Sequence, residues 1–354
     1  MSAQAGTTQH HVAQAAIRPQ SVEDVISAIG EHPKLRPVGG CTKPALALPP
    51  APIPQLDMTA LAGVVEYDPG EYTITVQAGT RLETIRAILA ENGQHMPFDP
   101  PWVDAGATIG GTIAAGVSGA GRHRFGSLRD FLIGVRFVDG QARLIRGGGK
   151  VVKNAAGFDL PKLLVGSRGE FGILVEASLK VFPEPPAYGT LTQSLDSFDA
   201  AQALIARLAR STFDLYALDL HCTGESPHAY TLRARLGGLA ATIEPRLNQL
   251  RTYLGGGDLL AKPTTEPIEE AEIWHAAREL TWTPPDGWLV KCAMTHATAL
   301  QLEAALSQLS YITARRYTNA LNSVWLAGTG DLQALAAALT QAGISGLLLR
   351  APAG

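Results

Sequence analysis

Gly106-Ala107-Thr108-Ile109-Gly110-Gly111-Thr112-Ile113-Ala114-Ala115-Gly116-Val117-Ser118-Gly119-Ala120-Gly121 is the stretch on which the fold of this sequence turns. Its glycines leave a long run of backbone N–H and C=O groups with no bulky side chain over them, and a large flat ligand can lie against such a surface. The alternative is a helix packed closely through its small residues, but each glycine inside a helix costs about 1 kcal/mol relative to alanine. The composition therefore predicts a ligand-binding loop across residues 98–126, where neither helical nor strand periodicity is sustained.

Closer to the N-terminus, Arg36-Pro37-Val38-Gly39-Gly40-Cys41-Thr42-Lys43 leaves a short expected strand. Its paired glycines permit close approach, and successive N–H groups can cradle phosphate oxygens. By itself the loop is equally an ordinary turn between strands. Two commoner nucleotide motifs fail. Gly119-Ala120-Gly121 begins a Rossmann fingerprint whose third glycine position holds Arg124, and Gly149-Lys150 is followed by Val151 where a Walker loop needs Ser or Thr.

Strands and helices alternate around these loops. Ser21 as N-cap, with Asp24 three residues on, opens a helix whose stripe is Val22, Val25, Ile26 and Ile29, ending at Gly30. Strands are expected over 35–38 and 53–58, a hairpin over 64–78 turning at Asp68-Pro69-Gly70, and a helix over 82–92. Further strands are expected over 131–138, 142–145 and 173–182, with a helical turn near 158–164. Pro183-Glu184-Pro185-Pro186 is the clearest linker. Beyond it, strand 188–194, helix 197–210, strands 215–222 and 229–236, helix 239–254 and a strand near Leu259 give the order βαββαβ. After a helical insert over 269–280 the order recurs as strand 288–294, helix 297–309, strands 311–316 and 322–327, helix 331–342 and strand 345–350. The expected class is α+β, with two ferredoxin-like units in the second half.

With 354 residues, 46% of them apolar, the chain can bury a full core, and its length suggests two or three domains. The 29 basic and 32 acidic residues give a net charge of −3, so no strong field attracts nucleic acid or anionic lipid. Cys41, Cys222 and Cys292 are scattered, which excludes a disulfide framework or a cysteine metal motif and fits a reducing compartment. The N-terminal residues are polar, without the basic and apolar segments of a secretory signal, and the low-charge run at 105–121 is shorter than the roughly 18 residues a membrane span requires. The expectation is a cytoplasmic protein, at most peripheral on the inner face of the cell membrane.

Taken in order, these segments resemble the vanillyl-alcohol-oxidase superfamily, the PCMH-type FAD-linked oxidases. The loop at 36–43 looks like the first pyrophosphate loop of that family, and 108–121 like its second FAD segment. Phe125-Gly126-Ser127-Leu128-Arg129-Asp130 resembles its aromatic-Gly-x-x-x-Asp turn. More specific are Lys150-Val151-Val152-Lys153-Asn154-Ala155-Ala156-Gly157-Phe158-Asp159-Leu160 and Gly166-Ser167-Arg168-Gly169-Glu170-Phe171-Gly172-Ile173-Leu174, similar to the branch containing glycolate oxidase and D-lactate dehydrogenase. Within it, Phe98-Asp99-Pro100-Pro101 and residues 116–129 look most like the FAD-binding subunits of bacterial glycolate oxidases. The likeness covers residues 17–183; the remainder matches by architecture alone.

The resemblance implies a two-lobed FAD-binding domain over 1–184, with lobes near 17–60 and 61–184, followed by a cap domain over 185–354 that meets substrate or partner. It implies FAD contacts from Pro37, Val38, Gly39, Gly40, Cys41, Thr42, Lys43, Pro101, Thr108, Gly110, Gly111, Thr112, Ala115, Gly116, Ser118, Gly121, Phe125, Gly126, Asp130, Gly169, Gly172 and Ile173. Arg122, His123 and Lys153 are the candidate catalytic residues. Covalent relatives carry a histidine where this chain has Cys41, so the FAD is expected to be non-covalent, with a cysteinyl link as the alternative. No metal site is expected: the His-Gly-Asp-Gly-Asn-x-His segment of the branch is missing, and His221, His228, His275 and His296 stand singly and read as structural or surface residues. The implied reaction is oxidation of a small 2-hydroxy acid, glycolate to glyoxylate. The implied partners are a homologous FAD-linked catalytic subunit and an iron–sulfur subunit, since this chain has no cluster ligands with which to pass electrons on. Two alternatives stay open: a non-catalytic FAD-carrying or assembly subunit, and a stand-alone oxidase of an alcohol or hydroxy acid.

Overall fold

The computed structural model describes residues 16–46, 53–149, 158–223, 230–255, 261–306 and 308–351. Helix α1 (Val22–Glu31) opens on the expected capping box, in which Ser21 Oγ accepts from Asp24 N at 3.1 Å and Asp24 Oδ2 accepts from Ser21 N at 3.0 Å. Strands β1 (Arg36–Val38) and β2 (Gln55–Asp57) pair in parallel. The expected hairpin is β3 (Val64–Asp68) and β4 (Thr73–Gln77), followed by α2 (Leu82–Ala90) and β5 (Gln94–His95). Three short helices, α3 (Ile109–Ala115), α4 (Arg122–Phe125) and α5 (Leu128–Phe131), then lead into β6 (Leu132–Val138) and β7 (Leu144–Gly148). Helix α6 (Leu160–Leu164), β8 (Ile173–Lys180) and β9 (Phe182–Pro183) complete this half.

An antiparallel sheet of five strands, β3-β4-β8-β6-β7, forms its centre. Helix α1 and β2 share one small core with Val138, Ile173 and Val175. Helices α2 and α3 share the larger core with Ile74, Val76, Ala177 and Leu179.

Helix α3 corrects the sequence reading, because the loop expected across 98–126 contains a helix with two glycines in its first turn. The Thr108 hydroxyl accepts from Gly111 N at 3.3 Å and caps it, and Gly116, at φ +63°, ends it in the left-handed conformation. A Cβ on Gly110 would stand 2.8 Å from the Ala78 carbonyl oxygen, so glycine is needed for helix-to-strand packing. The intrinsic helical cost of glycine is real, but close approach outweighs it here.

The second half follows the expected order closely. It comprises β10 (Ala187–Leu195), α7 (Phe198–Ala209), β11 (Ala217–Thr223), β12 (Tyr230–Gly238), α8 (Ala240–Tyr253), β13 (Ala261–Thr264) and α9 (Pro267–Glu279). Then come β14 (Trp288–Ala293), α10 (His296–Leu306), β15 (Ile312–Thr318), β16 (Ser323–Gly328), α11 (Leu332–Gln341) and β17 (Gly346–Arg350). The strand order β13-β10-β12-β11-β15-β16-β14-β17 is two ferredoxin-like sheets fused into one. Fusion runs through antiparallel β11 and β15, with Leu220 opposite Tyr317, so two edges that would otherwise lie open pair with each other.

Strand alternation divides the two faces of this sheet. Leu218, Leu220, Cys222, Leu232, Val290 and Leu326 share a core with α7, α8, α10 and α11. Leu289, Trp325 and Ala327 instead join the core of the first half, beside Phe98, Trp102 and Val103. Helix α9 is pinned to the sheet by Trp274, whose Nε1 donates to Thr190 Oγ1 at 2.8 Å, and by Glu270, which receives Arg235 at 2.8 and 2.9 Å. Among the described residues no helix is long and apolar enough to cross a membrane.

Candidate functional site: a glycine-built cavity and a polar chamber

Three segments distant in the chain meet around one cavity of about 290 Å³. The first is the loop after β1, the second the start of α3, and the third the turn before β8. Their contact is backbone against backbone. A Cβ on Gly40 would lie 1.9 Å from the Gly106 carbonyl oxygen, and one on Gly39 would lie 2.2 Å from Thr108 Oγ1. The third segment is tied to α3 by Gly166 N donating to Ile113 O and Arg168 N to Ala114 O, both at 2.9 Å. Met58, Ala78, Ile173 and Leu174 supply apolar lining.

Lys43 lines this cavity together with Arg36 and Arg168. Its Nζ donates to Thr42 Oγ1 at 2.8 Å and lies 5.0 Å from the centroid of the Trp102 ring. Burial brings its pKa down to about 8, the usual response of an ammonium group removed from water. Cys41 is exposed on the same loop with φ +50°.

Of the residues expected to touch cofactor, Pro37, Val38, Gly39, Gly40, Cys41, Thr42, Lys43, Thr108, Gly110, Gly111, Gly169, Gly172 and Ile173 line this cavity. Gly121 and Phe125 line a different one, of about 330 Å³, with His95, Glu184, Tyr216 and Arg278. Pro101, Thr112, Ala115, Gly116, Ser118, Gly126 and Asp130 line neither. The reasons are local: Thr112 Oγ1 donates to Thr108 O at 2.9 Å, Ser118 Oγ accepts from Leu128 N at 3.0 Å, and Asp130 Oδ2 accepts from Ser127 N at 2.7 Å. Lys153 lies outside the described residues.

Arg122 and His123 sit on α4, which faces the sheet of the second half at β11. Burial lowers the pKa of His123, opposed by the nearby charge of Asp219. Sequence reasoning missed the group that meets them. Asp219 and His221 project from β11, Arg233 from β12 and Arg316 from β15, with Asp219 opposite Arg233 and His221 opposite Arg316 in register. Arg316 Nε donates to Asp219 Oδ2 at 2.9 Å and its Nη1 to Ala277 O at 2.5 Å. His221, read from sequence as an isolated structural residue, is held at a pKa of about 4 by burial and then by the charges of Arg233 and Arg316. The available signal was charge at alternate positions of strands whose other residues are apolar, as in Leu218-Asp219-Leu220-His221 and Leu232-Arg233-Ala234.

A short aromatic relay lies between cavity and sheet. Trp102, under Lys43, meets Trp325 edge-on at 6.0 Å, and Lys291 Nζ stands 5.0 Å from the Trp325 centroid. Burial, with Arg122 nearby, brings Lys291 to a pKa of about 8. Among the described residues no group of three or more His, Cys, Asp or Glu side chains is placed to hold a metal ion.

Residues 13–148, which carry two of the three segments around the glycine cavity, match the family described as FAD binding domain, and FAD is the cofactor. Close approach at Gly39 and Gly40, apolar lining and a half-buried lysine are what a dinucleotide with a charged diphosphate requires. Glycolate oxidase subunit GlcE of Escherichia coli strain K12 is 41% identical over 179 residues, 51% of this chain and 51% of that protein. Glycolate oxidase subunit GlcD of Bacillus subtilis strain 168 is 38% identical over 229 residues, 61% of this chain and 48% of that protein. The aligned regions thus span about half the length of these relatives. A solved alkyldihydroxyacetonephosphate synthase superimposes with a TM-score of 0.70 over 93% of this chain and 71% of its own, at 16% identity, and so shares the fold. The resemblance to FAD-linked oxidases and glycolate oxidase subunits, drawn above from motifs, therefore holds.

Proposed function

We propose that the chain is the FAD-carrying subunit of a glycolate oxidase-like complex that oxidises a small 2-hydroxy acid, glycolate to glyoxylate. Electrons would pass to a partner iron–sulfur subunit, beside a homologous FAD-linked catalytic subunit. One observation carries the reading: three separate segments, two of them within the residues that match FAD-binding domains, converge on a glycine-lined cavity. The proposal divides the chain into an FAD-binding domain over 1–184 and a cap over 185–354, and places it in the cytoplasm, with any membrane attachment peripheral.

In this reading residues 38–43 hold the diphosphate through backbone N–H groups, with Pro37 beside them, and Lys43 balances its charge. Thr108, Gly110, Gly111, Gly169, Gly172 and Ile173 shape the wall. When bound, FAD supplies the two-electron acceptor for the reaction. In this reading Arg122 would orient an anionic substrate from the cap-facing side, and His123, whose proton affinity burial lowers, would receive a proton.

The test is anaerobic addition of glycolate or D-lactate to the purified FAD-loaded chain. Loss of oxidised-flavin absorbance supports catalysis on this chain. Unchanged absorbance with flavin retained overturns catalysis here and leaves a carrier subunit, and a colourless chain that takes up no added FAD overturns the whole reading.

A further inference from the structure

Four buried side-chain atoms without a hydrogen-bond partner gather at one spot on the cap sheet: Asp219 Oδ1, His221 Nε2, Arg233 Nε and Trp282 Nε1. Strand register brings the first three together, and the Trp282 ring meets His221 edge-on at 5.4 Å. An unpaired buried polar group costs roughly 1–3 kcal/mol, so such a concentration marks a place that something else completes. Charge indicates what. Arg233 and Arg316 stand against the carboxylate of Asp219, on which the charge of Asp99 also acts, His221 is neutral, and Arg122 lies next to His123 on the facing helix. Counting Arg122, the cluster has one more cation than carboxylate.

We propose that this chamber binds a small 2-hydroxy monocarboxylate directly on protein groups, without a metal: Arg233 takes the carboxylate and Asp219 Oδ1 accepts the hydrogen bond of the hydroxyl. Arg316 is the positioning residue. Its Nε and Nη2 both serve Asp219 Oδ2, which leaves Oδ1 free, and its Nη1 is anchored to the Ala277 carbonyl. A guanidinium fork matches the two oxygens of a carboxylate in a way an ammonium does not. The substrate class rests on the function proposed above; the anion site itself does not.

The experiment is titration of the full chain, loaded with FAD and kept in excess EDTA, with oxamate, a monoanion that has no oxidisable C–H bond. Binding is read from tryptophan fluorescence and from the flavin spectrum. Saturable binding is expected in EDTA, weakened at least tenfold in Arg233→Met and partly recovered in Arg233→Lys, with flavin content unchanged in both. Equal affinity in wild type and Arg233→Met, or binding that appears only on adding zinc or manganese, overturns the proposal. If the chain retains no flavin the function above fails, while the fluorescence titration of the flavin-free protein still decides the anion site.

Discussion

The glycine cavity and the polar chamber lie either side of the Trp102–Trp325 contact and are built by opposite means. The cavity is made of main chain, and its decisive positions are those where a side chain cannot exist, as at Gly40 against the Gly106 carbonyl. The chamber is made of side chains, and its decisive positions are ordinary in local sequence; β-sheet register alone makes neighbours of Asp219 and Arg316. A binding surface of backbone must be written in glycine, whereas one of side chains can be dispersed over a hundred residues without leaving a motif.

If the chamber depends on charge pairing, Arg316→Met should be the most damaging change. It would leave Asp219 buried without its cation, a loss on the order of 3–5 kcal/mol, measured as the drop in urea unfolding free energy. A loss under about 1 kcal/mol would show that the pair does not shape the chamber.

The two regions should respond to pH in different windows. His221 has an ordinary pKa of 6.5 unfolded and about 4 folded, so between those values the unfolded chain binds more protons and stability falls as pH falls. The decrease should reach about 3 kcal/mol between pH 6.5 and 4, and should flatten in His221→Phe when urea midpoints are compared across that range. Lys43 and Lys291 act in the same direction but in a higher pH window. Each is near 8 folded and 10.5 unfolded, so their contribution to stability should rise with pH from 8 towards 10.5.

Two glycines of one helix sharpen the contrast further. A Cβ on Gly111 would meet only Thr108 Oγ1, at 3.2 Å, so Gly111→Leu should fold and place its side chain in the cavity. FAD affinity should drop about 100-fold, equivalent to roughly 2.7 kcal/mol, read from the flavin-to-protein absorbance ratio. Gly110→Ala presses on the Ala78 carbonyl instead and should cost about 1–3 kcal/mol of stability, seen as a lowered melting temperature. The smallest effect is expected at the surface pair joining the two halves, Arg124 and Asp214. Asp214 is 60% exposed, so Asp214→Ala should change unfolding free energy by no more than about 1 kcal/mol.

Much of the architecture was legible because it is locally encoded. The Ser21–Asp24 cap, the hairpin at Asp68-Pro69-Gly70 and the twice-repeated βαββαβ order each rest on neighbouring residues, and each element formed within a few positions of its expected bounds. Helix α3 was misread because its glycine content weighs against a helix unless Ala78 is known to lie against it. Fusion of the two ferredoxin-like units through β11 and β15 was not legible either, since strand pairing between repeats is a contact of distant segments.

The sequence by itself determined the alternation of elements and the two glycine loops, because hydrophobic period, capping and backbone freedom act over a few residues. Only the tertiary structure decided that Gly40 would touch Gly106 and that Asp219, His221, Arg233 and Arg316 would share one chamber. Those contacts are set by sheet register and by the packing of one half on the other, both non-local, and a residue carries no local mark of the partner that folding will bring to it.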